Sequence, residues 1–384
     1  MDLSVVIVSY NAVDFLRLTL NSVFAACTTI TAEVFVVDNN SSDGAAAMVA
    51  KEFPACKLIA NQVNPGFAKA NNQAIRKAHG KYILILNPDT VVAEDTFTKT
   101  IAFMQNTKDA GGMGIRMIDG SGLFLPESKR GVPSPWTALT KMSGLAALFP
   151  TSKIFAEYHK GYLSPNKNSK IEVLAGAFML FKKSVLDKVG LLDEDFFMYG
   201  EDIDLSYRVT KHAYANYYFS ESSIIHFKGE STIKDKTYVN RFYKAMVQFA
   251  HKHFSKSYGI VLKVFIYLGV FVASALSTFK HALLKNKAQN PVANQPTLLF
   301  LHNYPAPEDL MQQLEKKFVV KTITDPAMEQ QGTLVFVQGL MPYKQMIKTM
   351  DTYKCKFNYR FLDLQAKVML GSDNKLIQGQ TIAL

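Results

Sequence analysis

The first 110 residues alternate between strand-like and helix-like patterns of hydrophobic and polar positions. Apolar, β-rich runs predict strands at residues 3–9, 33–38, 57–60 and 81–86. Helical spacing predicts helices at residues 15–26, 44–53 and 67–79. Near-continuous Val, Ile and Leu runs are typical of strands buried on both faces, as in a parallel sheet flanked by helices. The pattern therefore predicts an α/β fold with a mostly parallel central sheet.

A second α/β pattern occupies the last part of the chain. It predicts strand, helix, strand, strand and helix in turn at residues 297–302, 308–318, 319–323, 333–338 and 343–351. Two Asn/Gln-Pro steps at Asn290-Pro291 and Gln295-Pro296 read as a linker before it. We find no catalytic motif in this small unit, and its role as a regulatory, docking or dimerising module stays open.

Most of the net positive charge of the chain lies between the two patterns. The net charge is +11, and residues 236–307 hold nine Lys or Arg and no Asp or Glu. Within this stretch, residues 264–279 are uncharged and mostly apolar. As a helix they would be about 24 Å long, short of the roughly 30 Å hydrocarbon core, so a membrane span is marginal. Lysines mixed with aliphatic residues favour an anionic membrane surface over nucleic acid, and a helix buried between two domains is the alternative.

These patterns predict three regions: a domain at 1–255, a basic apolar helical segment at 256–288, and a small α/β domain at 289–384. Three distant cysteines exclude a disulfide framework and a zinc cluster. The first residues lack the basic start of a signal peptide. We therefore expect a cytoplasmic protein, peripheral to the cytoplasmic face of the inner membrane.

Polar loops follow four of the predicted strands, and ligands of parallel α/β sheets bind at the carboxyl ends of strands. The loops are Ser9-Tyr10-Asn11, Asp38-Asn39-Asn40-Ser41-Ser42-Asp43-Gly44, Asn64-Pro65-Gly66-Phe67 and Asn87-Pro88-Asp89-Thr90. Any one of them could be a simple turn or helix cap. Four at the same predicted sheet edge indicate a binding cleft. A Walker phosphate loop is absent, and the Gly-rich stretch at 110–114 lies too far along the chain for a dinucleotide fingerprint.

Seven motifs, in order, carry a resemblance to a known family. They are Val6-Ile-Val-Ser-Tyr-Asn11, Val36-Val-Asp-Asn-Asn-Ser-Ser-Asp43, Asn64-Pro-Gly-Phe-Ala-Lys-Ala-Asn-Asn72, Leu86-Asn-Pro-Asp-Thr90, Ala175-Gly-Ala-Phe-Met179, Gly200-Glu-Asp-Ile-Asp-Leu205 and His226-Phe-Lys-Gly-Glu-Ser-Thr232. Over about 230 residues the chain resembles glycosyltransferase family 2, with its GT-A fold, and especially the rhamnosyltransferase-like branch.

The resemblance implies a nucleotide-sugar site. The residues that it places at the donor are Ser9, Tyr10, Asn11, Asp38, Asn64, Gly66, Asn71 and Asn87. Asp38 would accept a hydrogen bond from the ring N–H of uracil or thymine, which implies a UDP- or dTDP-sugar. Gly66 would allow close backbone approach.

The resemblance also implies a divalent metal, Mg²⁺ or Mn²⁺. Asp89 occupies the last position of the family's D-x-D motif, and His226 the position of a second protein ligand. Asn87 stands where the first carboxylate of the motif is expected, so one anionic ligand is missing.

Two acids near residue 200 complete the implied chemistry. By resemblance, Asp202 is the general base towards the acceptor hydroxyl, and Glu201 orients the acceptor. Their place in the first turn of a predicted helix would by itself favour acids through the helix dipole. One base without a nucleophile implies single displacement with inversion, and the membrane segment implies a lipid-linked or cell-envelope saccharide acceptor. A catalytically degenerate nucleotide-sugar-binding protein and an assembly protein are the alternatives.

The segment around Trp136 has the composition of a long loop, where acceptor specificity would reside. Trp136 could stack on a sugar ring or pack on its own loop.

Overall fold

The computed structural model of the chain describes residues 1–227, 236–254, 297–373 and 379–384. The predicted basic apolar segment at 256–288 lies outside these residues, and so does most of the motif that begins at His226. In the part of the chain that is described, no helix is both long and apolar enough to cross a membrane.

Strands and helices alternate through the described residues. The strands are Leu3–Ser9 (β1), Ala32–Asp38 (β2), Lys57–Ala60 (β3), Tyr82–Leu86 (β4), Thr90–Val91 (β5), Ala110–Ile118 (β6), Ser169–Ile171 (β7), Phe178–Lys182 (β8), Ala215–His226 (β9), Thr297–Leu301 (β10), Val319–Ile323 (β11), Thr333–Val337 (β12), Asn358–Asp363 (β13), Val368–Gly371 (β14) and Gln380–Ala383 (β15). The helices are Val13–Ala26 (α1), Ala45–Glu52 (α2), Phe67–Ile75 (α3), Thr96–Asn106 (α4), Pro135–Met142 (α5), Leu145–Leu148 (α6), Lys183–Val189 (α7), Glu201–Lys211 (α8), Lys236–His253 (α9), Glu308–Glu315 (α10) and Tyr343–Thr352 (α11).

The larger sheet has the strand order β3-β2-β1-β4-β8-β6-β9-β5, with β7 paired to β9. Strands β3, β2, β1 and β4 are parallel, and β8 then enters antiparallel between β4 and β6. The register places Ser9 beside Asp38 at the carboxyl ends of β1 and β2. The chain reverses strand order between β1 and β4, which is where such sheets bind ligands.

Alternating residues of β1 bury both faces of this sheet. Val5 and Ile7 pack in a core cluster with residues of α1, α2 and α4. Val6 and Val8 pack in a second cluster with residues of α3, α7 and α8. Burial on both faces explains the unbroken apolar sequence of the strand.

The C-terminal unit is a second sheet with the order β11-β10-β12-β13-β14-β15, in which the first four strands are parallel. It packs directly on the first domain. The Phe227 ring meets the Phe361 ring edge-to-face at 5.6 Å between centroids. The two residues belong to one core cluster with members from both units.

Polar contacts fix the same interface. The Arg116 guanidinium lies 2.8 Å from the Asp351 carboxylate, and the two carboxylate oxygens of Glu94 accept hydrogen bonds from the backbone N–H groups of Tyr343 and Lys344 at 2.7 and 2.9 Å. Glu94 thus supplies the acceptor that the first turn of α11 lacks within its own helix.

The α/β fold predicted from the sequence is confirmed, including the small C-terminal unit. The predicted helix at 67–79 was too long, because α3 ends at Ile75. The N–H groups of Lys77 and Ala78 bond to carbonyls three residues back, and the N–H of His79 bonds to the Glu33 carboxylate at 2.6 Å. The three-region division at 255 and 288 stays a prediction, since both boundaries lie among residues that are not described.

Candidate active site

The loops after β1 and β2 are tied into one surface at the carboxyl edge of the sheet. Asn11 has a φ of 50°, in the left-handed region that Asn tolerates. Its N–H donates to the Ser41 hydroxyl at 3.0 Å, and its Oδ1 accepts from the Ser42 N–H at 2.8 Å. Tyr10 beside it is exposed to solvent. The structure therefore brings Asn11 to the loop that follows Asp38.

Asp38 and Ser9 offer polar atoms that the described protein leaves unused. Asp38 is buried, and its Oδ2 accepts a hydrogen bond from the Ser41 N–H at 3.0 Å. Its Oδ1, and the hydroxyl of the neighbouring Ser9, are buried and have no hydrogen-bond partner among the described residues. Buried polar atoms are normally paired, so unpaired ones at a sheet edge indicate a place for a ligand.

A network of amides holds the third loop. Asn39 donates to Asn64 Oδ1 at 3.3 Å, and Asn64 Oδ1 also accepts from the Gly66 N–H at 3.0 Å. Gly66 has a φ of +91°, and a Cβ there would come within 2.5 Å of the Phe197 carbonyl oxygen. The close approach expected at Gly66 is thus an approach to the backbone of Phe197.

Asn71 lies on α3 and is fully buried. Its amide donates to the Phe67 carbonyl at 2.9 Å, one turn earlier, while its Oδ1 is unpaired within the described structure. It belongs to the wall behind the Asn64 loop rather than to the exposed loop itself.

Asn87, Asp89 and His226 converge at the end of β4. Thr90 of β5 pairs with His226 of β9, which sets the imidazole beside Asp89. His226 Nε2 lies 3.4 Å from Asp89 Oδ1 and 3.3 Å from Asn87 Nδ2. The Thr19 hydroxyl supports this loop from α1, since it donates to the carbonyls of Pro88 and Thr90. The sequence-predicted metal residues are therefore neighbours in space.

This group fits a divalent cation, although it is a small set. Asp89 Oδ1 is buried and lacks a hydrogen-bond partner in the described part of the chain, and His226 Nε2 lies 3.4 Å from it. An unpaired buried carboxylate oxygen beside an imidazole nitrogen is the donor set of Mn²⁺- or Mg²⁺-type sites completed by other ligands. No group of three or more His, Cys, Asp or Glu side chains is suited to a metal within the described residues. Asn87 explains why this group has only two such side chains, because it stands where a third Asp or Glu ligand would complete it.

Asp202 begins α8 and forms a buried ion pair. The Arg130 guanidinium contacts Asp202 Oδ2 and also donates to the Leu174 carbonyl. The N–H of Ile203 donates to Asp202 Oδ1 at 2.8 Å. Burial lowers the pKa of Arg130, but the Asp202 carboxylate outweighs it and holds that pKa above its ordinary value. Asp202 is thereby oriented as a carboxylate.

Glu201 has the opposite environment. It is buried, and its Oε2 has no hydrogen-bond partner among the residues described. Burial, and next the charge of Asp202, raise the pKa of Glu201 to about 8. At neutral pH Glu201 is therefore mostly protonated.

The third acid of α8 serves the scaffold. Asp204 is fully buried and contacts Arg208 at 2.8 Å, Lys252 at 2.8 Å and His253 at 2.6 Å. The last two residues belong to α9, so Asp204 fixes α9 against the helix that carries Asp202.

Sequence reasoning missed Arg130. It lies in a turn-rich loop beside Lys129, and its partner Asp202 is 72 residues away. No local spacing links the two, and a basic pair in a loop gives no signal of its own.

Residues 4–190 match the family model described as Glycosyl transferase family 2. This match, over just under half of the chain, confirms the resemblance found in the sequence. Over 244 residues, 61% of this chain and 78% of the relative, the chain is 26% identical to N-acetylglucosaminyl-diphospho-decaprenol L-rhamnosyltransferase of Mycobacterium tuberculosis. Over 214 residues, 55% of this chain and 62% of the relative, it is 26% identical to low-salt glycan biosynthesis hexosyltransferase Agl10 of Haloferax volcanii. Among solved structures, S. aureus TarS 1-349 is similar with a TM-score of 0.45 and 18% identity, over 75% of this chain and 76% of that one.

Proposed function

We propose that the protein is an inverting glycosyltransferase that moves a sugar from a UDP- or dTDP-activated donor to an acceptor hydroxyl. The observation that carries the donor assignment is the buried Asp38, whose Oδ1 has no hydrogen-bond partner in the described structure. A uracil or thymine ring offers an N–H to such an oxygen, whereas N3 of cytosine is an acceptor. Ser9 and Asn11 lie beside Asp38 and would line the nucleoside.

The diphosphate would lie at the group of Asn87, Asp89 and His226. Asp89 and His226 would hold a Mg²⁺ or Mn²⁺ ion, which when bound offsets the charge of the departing diphosphate. Asn87 would hold the donor through its amide. The unpaired Asp89 Oδ1 supports this assignment.

Asp202 is proposed to accept the proton of the acceptor hydroxyl as that oxygen attacks the anomeric carbon. The Arg130 guanidinium contacts its carboxylate, whereas burial and next the charge of Asp202 raise the pKa of Glu201 to about 8. Glu201 would then donate a hydrogen bond that orients the acceptor. One base and a single displacement give inversion at the anomeric carbon.

The acceptor is proposed to be a lipid-linked or cell-envelope saccharide. The name of the Mycobacterium tuberculosis relative specifies a diphospho-decaprenol acceptor. The basic apolar segment at 256–288 would bring this chain to an anionic membrane surface on the cytoplasmic face, where such a lipid is presented.

The donor is tested by thermal unfolding of the full chain with UDP, dTDP, GDP and CDP, each with Mn²⁺ or Mg²⁺. UDP and dTDP should raise the unfolding midpoint, and CDP should do so much less, since N3 of cytosine leaves a buried carboxylate unpaired at a cost of about 1–3 kcal/mol. GDP is the purine comparison, because guanine N1–H can also donate to a carboxylate. Asp38→Asn should remove most of the preference. Asp109→Asn is the matched control, because Asp109 forms an exposed ion pair with Lys170. Equal stabilisation by CDP and UDP would show that Asp38 does not bind the ring N–H of the base.

A second candidate is nucleotide-sugar binding without turnover, and the loss of a carboxylate at Asn87 favours it. It predicts the same nucleotide preference but no release of UDP or dTDP from any activated sugar, with or without acceptors. Steady release of nucleotide that depends on an added acceptor would exclude it.

A further inference from the structure

A cluster of large apolar side chains lies exposed on the segment that follows Arg130. We call Trp136, Leu148, Phe149, Ile154 and Phe155 the aromatic patch. Trp136 is 45% exposed, Leu148 72%, Phe149 51% and Ile154 61%. The Phe155 ring lies 6.2 Å from the Trp136 ring and 5.4 Å from the Phe149 ring, between centroids. The Trp136 indole N–H donates to the Ile154 carbonyl at 2.8 Å, so these contacts join four of the residues, and Leu148 adjoins Phe149 in the chain.

Trp136 lies in the first turn of α5 and not in a long loop as expected from the sequence, because the Ser134 side chain caps that helix. Its ring packs against Phe155, yet nearly half of the side chain remains open to solvent. Scattered exposed apolar residues are ordinary, but a contiguous exposed cluster marks a surface that binds something.

The chain segment that carries the patch, from residue 128 to 156, is basic. No acidic residue occurs between Glu127 and Glu157, and the segment carries four basic residues. Two of these, Lys141 and Lys153, are exposed. Aromatic side chains beside lysines, without acids, complement an anionic lipid surface, where indole rings favour the headgroup level and lysines meet the phosphates.

The patch is coupled to the acidic pair through the same segment. Arg130, six residues before Trp136, contacts the Asp202 carboxylate. Val132 packs in the cluster that holds Ile203 of α8. A surface bound to the patch is therefore linked through a short length of chain to the predicted base.

We propose that the aromatic patch inserts into the headgroup region of an anionic phospholipid bilayer. This contact would hold the acidic pair, Glu201 and Asp202, towards the membrane. This contact is separate from the segment at 256–288 and adds to it. A glycosyltransferase bound in this way meets acceptors that project from the lipid surface. The choice of acceptor then depends on the orientation of the protein on the membrane as well as on the residues that line its binding cleft.

The chain contains a single tryptophan, which lies in the patch, so fluorescence excited selectively at tryptophan, apart from the 17 tyrosines, reports on this surface alone. The full chain is titrated with vesicles of phosphatidylglycerol and phosphatidylcholine. We expect a blue shift of Trp136 emission, loss of acrylamide quenching, and quenching by lipids brominated near the headgroup end of the acyl chain. Sedimentation of the protein with vesicles while Trp136 emission and acrylamide quenching stay unchanged would overturn the proposal, because another segment would then make the contact. No binding to anionic vesicles would overturn it as well.

A variant pair tests the energetics. Leu148→Asp with Phe149→Asp should lower the vesicle partition coefficient at least about tenfold, or ~1.4 kcal/mol. Met328→Asp is the matched control, since Met328 is 79% exposed on the C-terminal unit and far from the patch in sequence. Equal partition of the double variant and the control would count against the proposal. The wild-type fluorescence experiment stands by itself should the double variant fold poorly. These measurements need no sugar donor, so their failure would leave the transferase proposal intact.

Discussion

Replacement of Arg130 by Met removes one side of a buried ion pair. The side chains of Arg130 and Asp202 are only 12% and 13% exposed. Loss of one partner leaves the other charge uncompensated in the interior, which costs about 3–5 kcal/mol. For a domain of this size each kcal/mol lowers the unfolding midpoint by about 2–4 °C, so we expect a fall of roughly 6–20 °C. Circular dichroism during heating at pH 8 measures it.

The stability lost in the Arg130→Met variant should increase with pH. The Arg130 charge lowers the pKa of the neighbouring Glu201, so without Arg130 the folded chain holds the Glu201 proton more tightly and the variant loses stability as pH rises. The gap between wild type and variant should therefore be smaller at pH 5 than at pH 8. Arg76→Met is the matched control, because Arg76 forms an exposed pair with Glu194 that is worth less than about 1 kcal/mol.

A double-mutant cycle decides whether the two side chains act as a pair. Arg130→Met combined with Asp202→Asn leaves no buried charge of the pair, so the double variant should be more stable than the sum of the two single losses predicts. We expect a coupling of at least about 1 kcal/mol. Additive losses that are equal at both pH values would refute the buried ion pair as described.

Four further variants each change a single carboxylate. Burial raises the pKa of Glu33, but hydrogen bonds from a lysine, a serine and a backbone N–H outweigh it and lower that pKa to about 2. Glu33→Gln should therefore lower the free energy of unfolding by about 2–3 kcal/mol near pH 7 and by little near pH 2, as measured by urea unfolding. Glu94→Gln should loosen α11 by about 1 kcal/mol, seen as faster amide exchange at Tyr343. Asp202→Asn should lower turnover at least about 10²-fold with nucleotide binding retained, whereas Asp89→Ala should weaken metal-supported nucleotide binding, as measured by calorimetry.

The elements that the sequence predicted well are those whose pattern is local. Strand β1 has the predicted bounds because an unbroken apolar run on a parallel strand reflects burial on both faces. The end of α3 was not predictable in this way, since the His79 N–H leaves the helical pattern to bond with Glu33, a residue 46 positions away. The insertion of β8 between β4 and β6 is equally non-local, and no pattern in the strand itself reveals it.

The candidate site divides along the same line. Parallel topology explains why loops after successive strands meet at one edge, so Asp38 and the Asp89 loop could be placed from the sequence. His226 was assigned to the group of Asn87 and Asp89 only from the order of the motifs. The structure supports that assignment, because β9 pairs with β5 and so places His226 beside this group. Arg130 escaped notice because its role depends on a contact across 72 residues.

Glu201 and Asp202 show what a sequence leaves undetermined even when it identifies the right residues. Both are acids in the first turn of α8, and the helix dipole favours both alike. The structure separates them through one guanidinium: Arg130 contacts Asp202, while Glu201 is buried without a partner for its Oε2 among the described residues. Two adjacent buried carboxylates beside one cation retain one proton, and that proton resides on Glu201, whose pKa is raised to about 8 by burial and by the charge of its neighbour. The division of roles between base and hydrogen-bond donor therefore depends on a loop residue outside the acidic motif.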